Sequence, residues 1–163
     1  MRFSNAQPLY DLALPVFSGK AAFSPSASVD PSQQRLRTPV IGSLSLQSAK
    51  KQIVALGSLP RGWDGYGSPP ASTEAIANAQ AWLDYIHDEV VHSQLSWRRP
   101  HVTASERGEV VLEWSADSKR LSLYFSDEVP SYIKAWGPHI VDQMEDGEIA
   151  NDRVLALWAW LSS

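Results

Sequence analysis

At Pro100 the hydrophobic period of this chain changes from helical to two, and that change restricts the fold more than any other feature. Before it, apolar residues recur at helical spacing. Leu46, Ala49, Ile53 and Leu56 share one face, with Lys50, Lys51 and Gln52 off it. Gly57 stands where a helix-ending glycine belongs. Ile76, Ala79, Leu83, Ile86 and Val90 form a second stripe over Thr73–His92. Ser72 is placed to cap that helix, and Glu74 lies in its first turn, where the helix dipole favours an acid. After Pro100 the pattern alternates. Val110, Leu112 and Trp114 alternate with Val111 and Glu113, and Leu121, Leu123 and Phe125 with Ser122 and Tyr124. Ala116–Lys119, with Asp117 and Ser118, is the turn between them. His101–Ser105 and Tyr132–Trp136 supply flanking strands, set off by turns at Glu106–Gly108 and Asp127–Pro130. A last helix spans Asn151–Leu161, with Asn151 or Asp152 as its cap. Strands gathered in one block predict an α+β domain: two helices, an antiparallel meander of about four strands and a C-terminal helix.

Residues 1–42 read differently, as a Pro/Ser-rich extension ahead of a single domain over 43–163. Prolines at 8, 15, 25, 31 and 39 each remove an amide donor and restrict the preceding residue, so no regular element of useful length is expected. Phe23–Gln34 has the composition of a disordered segment. Leu9, Tyr10, Leu12, Leu14, Val16 and Phe17 nevertheless form an apolar knot within it. They suit either a place on this protein's own core or a short segment that orders on a partner.

Composition excludes several classes. No cysteine is present, so disulfide scaffolds, thiolate nucleophiles and Fe–S clusters are ruled out. Residues 1–47 carry a net charge of +2 and the remainder −6, for −4 in all. A mildly acidic body is a poor non-specific binder of nucleic acid, because phosphate contacts need clustered Lys and Arg. No apolar run approaches the roughly 20 residues of a membrane helix. Asp11 and Pro15 interrupt the one stretch that resembles a signal peptide. The chain reads as a cytoplasmic, bacterial-type protein.

The loop from Leu59 to Ser72 is the most distinctive local sequence, and GWDGYG (Gly62–Gly67) lies inside it. A phosphate-binding loop needs a strand before it and a helix directly after. Here a helix precedes it, and Pro69 and Pro70 remove amides a phosphate would use. A rigid turn is expected instead, with Asp64-Gly65 as the turn dipeptide and Trp63 and Tyr66 fixing how two helices meet or facing a partner. The segment Leu59–Gly67, with Pro69-Pro70 and the Glu74–Ala77 helix start, resembles a widespread family of small, uncharacterised bacterial proteins. Pro100, Gly108 and the acidic-aromatic strand Val110–Trp114 continue that resemblance, which covers about Ser48–Asp127. It implies no catalytic residue. It implies a protein that acts with a partner protein.

Catalytic and metal motifs are weak. His87 and His92 flank Asp88-Glu89-Val90-Val91 and echo a zinc-protease helix, but their i, i+5 spacing places the imidazoles on different faces. Asp84, Asp88 and His92 do follow one side at i, i+4, i+8, which makes a metal-dependent hydrolase the alternative reading. Asp142, Glu145, Asp146, Glu148 and Asp152 read as an exposed acidic loop rather than a carboxylate pair in a cleft. His101 and His139 read as structural or solvent-facing. No nucleophile is paired with a base, and no cofactor is expected.

The last helix is the anomaly. Val154, Leu157, Trp158 and Leu161 complete one apolar face, while Leu155, Ala156, Ala159 and Trp160 occupy the others. A helix apolar all round is expected to be covered on both sides. The sequence-level reading is therefore a non-enzymatic interaction module, of the antitoxin-like or immunity type found in toxin or defence pairs. It would bury Leu12, Leu14, Phe17, Trp63, Tyr66, Trp158 and Trp160 against another protein. A heteromeric partner is favoured over a homodimer closed by the last helix, with no nucleic acid and no membrane involved.

Overall fold

The computed structural model describes residues 31–139 and 142–163. Three helices and a five-stranded antiparallel sheet follow one another in blocks, so the α+β reading holds. Helix α1 (Pro31–Leu56) and helix α2 (Thr73–His92) come first, then strands β1 (His101–Ala104), β2 (Val110–Ala116), β3 (Lys119–Phe125), β4 (Ser131–Ala135) and β5 (Met144–Glu148). A 3₁₀ turn at Asn151–Arg153 leads into helix α3 (Val154–Ser162). Strand order equals chain order, 1-2-3-4-5, and every pairing is antiparallel.

Register assembles the inner face. Leu112 stands between Val102 and Leu123, Leu123 between Leu112 and Tyr132, and Val110 opposite Phe125. Trp114 opposes Leu121. Helices α2 and α3 both pack on β2 and β3, and α1 packs on α2 and β1. Their apolar residues and the inner face of the sheet close into one core. Helices α1 and α2 run antiparallel. Gly57 meets Ile76, Lys50 reaches Asp84 at 2.6 Å, and Gly42 faces His87. A Cβ at Gly57 would come within 2.7 Å of the tip of the Ile76 side chain, so a larger residue there would have to push that tip aside. That contact, rather than a left-handed helix cap, marks Gly57. Ser72 caps α2 as expected, its hydroxyl accepting from the Ala75 amide at 3.0 Å.

Three expectations are corrected. Helix α1 begins at Pro31, not near Ser43, and its backbone runs through Pro39. Pro31 takes the first helical position, where the missing amide proton has no partner to lose, and Pro39 forfeits a single internal bond. The sheet has a fifth strand where an acidic loop was expected. Strand β5 hides its role because its inward positions are not apolar. Gly147 lies under the Tyr132 ring, and Glu145 accepts from Lys134 Nζ at 2.8 Å and from the Tyr132 hydroxyl at 2.9 Å. Those two donors, the lysine first, hold the Glu145 carboxyl below its ordinary value. Finally, neither Asn151 nor Asp152 caps α3. The 3₁₀ turn feeds the helix without a side-chain cap.

Candidate functional site

The loop between α1 and α2 is tied down by its own side chains. The amides of Tyr66 and Ser68 donate to Asp64 Oδ1 at 2.9 and 3.3 Å, and the Ser68 hydroxyl donates to Asp64 Oδ2. The Gly62 amide donates to the Ser68 carbonyl at 2.8 Å, closing the loop's neck. The Trp63 indole donates to the Pro69 carbonyl at 3.2 Å and is half-buried, so Trp63 is a brace rather than a free anchor. Tyr66, at the tip, is 94% exposed. The sequence singled out both residues. The structure separates their roles.

Asp64 organises this loop as an anion. The Ser68 hydroxyl, and after it the Tyr66 amide, hold its carboxyl below the ordinary 3.8. A folded-state value that is lowered contributes stability that is whole above the unfolded value and lost as pH falls through the folded one. The Tyr66 and Ser68 amide resonances are therefore expected to titrate together with the Asp64 carboxyl, at a midpoint below 3.8. A midpoint at or above that value would show that the carboxylate does not brace the loop.

The loop is also seated on the sheet. The Ser72 amide donates to the Gly108 carbonyl at 3.3 Å, and Pro69 and Pro70 pack against Gly108 in the β1–β2 turn. That turn walls one end of a hollow on the opposite, outer face of the sheet. The hollow has a volume of about 330 Å³ and is lined by Ser105, Glu106, Arg107, Glu109, Tyr124, Ser131 and Ile133. Outward register positions make up its floor: Tyr124 pairs with Ser131, and Ile133 follows two residues on, with Val111 opposite Tyr124 adjoining them. Val111 is 6% exposed, while Tyr124 and Ile133 are half-buried. Glu109 accepts from the Ser105 hydroxyl at 2.7 Å.

Two expected anchors fare differently. Trp158 is corrected: it is 1% exposed, in the centre of this chain's own core. Its ring stacks on Trp97 at 5.5 Å and 4°, and meets Trp114 edge-on at 5.6 Å. Trp97 in turn donates to Ser45 Oγ at 2.9 Å, and Trp114 to the Arg98 carbonyl at 2.8 Å. These three tryptophans join α1, β2 and α3. Trp160 is half-buried at the far end of α3, beside Trp136 and with Lys119 Nζ and Lys134 Nζ each 5.5 Å from its ring centre. Lys119 also donates to the carbonyls of Trp160 and Ser163, which end the helix. Of the apolar residues of α3, only Ala156 and Ala159 are exposed, so the expected second cover is not required. Leu12, Leu14 and Phe17 lie outside the described residues.

The metal triad is not assembled either. Asp84 is engaged by Lys50, and His92 Nδ1 turns back to the Asp88 carbonyl at 2.7 Å. Among the described residues, no group of three His, Asp or Glu side chains is placed to hold a metal ion. Nor, among those residues, is any helix long and apolar enough to cross a membrane. Comparison with protein-family models, with curated proteins and with solved structures returned no match.

Sequence reasoning passed over Trp97 and the outer sheet face. Trp97 lies in the irregular segment between α2 and β1, where no periodicity marks a core residue. The outer face is polar with isolated apolar members, and its hollow depends on which residues sit side by side across strands.

Proposed function

We propose that this chain is a protein-interaction module that acts by covering a surface of a partner protein, in the manner of an antitoxin-like or immunity-type member of a toxin or defence pair. One observation carries this reading. Tyr66 presents an almost fully exposed aromatic ring on a loop already braced by Asp64, Trp63 and Ser68. Aromatic anchors dominate the binding energy of protein interfaces, and Tyr is favoured because its large contact area carries few rotatable bonds. A loop held in place before binding loses little further freedom when it docks. A homodimer closed by α3 has less in its favour, because Trp158 is consumed by the chain's own core.

The test replaces Tyr66 by a photo-crosslinking phenylalanine analogue in the full chain, expressed in its native cells. A crosslink to one dominant protein from position 66, absent from an analogue at Lys51, is expected. Tyr66→Ala should then weaken binding of that purified partner by about thirtyfold, the effect of a strong aromatic anchor. Equal crosslinking from both positions, or unchanged affinity in Tyr66→Ala, would overturn the proposal.

A further inference from the structure

The outer face of the sheet carries more acid than base. Its strand positions include Glu113, Asp146 and Glu148, with Glu106 and Glu109 in the adjoining β1–β2 turn, against Arg107 and Arg120. Arg120 lies 3.9 Å from Glu113, and Arg107 lines the hollow together with Glu106 and Glu109, so its lining carries two acids to one base. Glu148 stands directly across from Ser131, a residue of the hollow, and is exposed. The floor carries Tyr124 and Ile133 beside Ser131. No described element covers this face, since all three helices pack on the other side. An aromatic floor inside an acidic rim suits a cationic side chain. Its stem would lie on Tyr124 and Ile133, and its charge would be met by the ring face and the carboxylates.

We propose that the hollow over Tyr124 and Ile133 receives an Arg- or Lys-rich segment of the partner protein, so that the partner this chain covers is a basic one. The inference rests on the reading of the chain as an interaction module and gives that partner its chemistry. The hollow and the Tyr66 loop would act as one surface, because the β1–β2 turn walls the first and seats the second.

The test titrates the ¹⁵N-labelled full chain with a hexa-arginine peptide, and in parallel with a hexa-glutamate peptide. Amide shifts are expected at Val111, Tyr124, Ser131 and Ile133 with the arginine peptide alone. The double variant Glu109→Gln/Glu148→Gln should weaken binding about fivefold, as expected for two partly exposed charge contacts. Lys51→Ala should leave peptide binding unchanged, because Lys51 is exposed on α1, on the other side of the sheet. Shifts confined to Asp142 and Asp152, an equal response to hexa-glutamate, or unaltered binding by the double variant would overturn the assignment. If the peptide leaves the sheet face unshifted while position 66 still crosslinks to a partner, the basic-segment assignment falls and the interaction reading stands. If position 66 captures nothing but the peptide shifts the sheet face, the hollow is supported and the loop is not the anchor.

Discussion

Trp158→Ala is expected to destabilise the fold by about 3–5 kcal/mol, the range for truncating a large buried aromatic side chain. For a domain of this size that lowers the melting temperature by about 10 °C. The side chain is 1% exposed and touches the core from two directions, stacked on Trp97 and edge-on to Trp114. Removing it leaves Trp97 without its stacked partner and Trp114 without one of its two edge contacts, and the volume adjoins a small void of about 10 Å³ already lined by Ile86, Leu121, Leu157 and others. Neighbours that already leave space unfilled are poorly placed to collapse into more. Trp158→Phe keeps an aromatic ring and should cost clearly less. Thermal melting followed by circular dichroism separates the two. Equal melting temperatures for wild type and Trp158→Ala would mean that the indole packs outside the core.

Gly108→Ala is expected to cost about 2–3 kcal/mol, from two sources that add. Gly108 has φ of +78°, in the left-handed region that a Cβ disfavours. The added Cβ would also lie 2.9 Å from the Pro70 carbonyl oxygen and 3.2 Å from Pro69 Cγ. Backbone cannot step aside as a side-chain tip can. Gly65→Ala supplies the control. Its φ is +83°, yet nothing lies within 4 Å of the new methyl. It should cost about 1 kcal/mol, the conformational part alone. Urea denaturation of both variants measures the difference. Equal midpoints would show that the loop does not rest on the β1–β2 turn.

How far the fold could be read from residues depended on whether burial follows a simple period. Helix α2 was legible in its exact bounds, because Ser72 caps it and its stripe of Ala75, Ala79, Leu83, Ile86 and Val90 is fully buried. The β2–β3 hairpin was legible for the same reason, with Asp117 taking the left-handed turn position at φ of +53°. Strand β5 was not, because its inward residues are a glycine under a tyrosine ring and a glutamate held by a lysine. In the candidate site, Tyr66 could be found by its loop composition. Trp158 was assigned to the wrong surface, because periodicity says that a helix is apolar all round but not how much core awaits it. Here Trp97 and Trp114 awaited it, one of them outside any helix or strand.

The position of α3 has a consequence for biosynthesis. The sheet pairs only neighbours in the chain, so each strand can add to the last as it leaves the ribosome. The inner surface of that sheet, however, is closed by residues made after all five strands. Until Val154, Leu157, Trp158 and Leu161 emerge, a growing chain carries an open aromatic surface and depends on chaperones or on speed to keep it from sticking. Chains that stall just before α3 should be the ones cells degrade fastest.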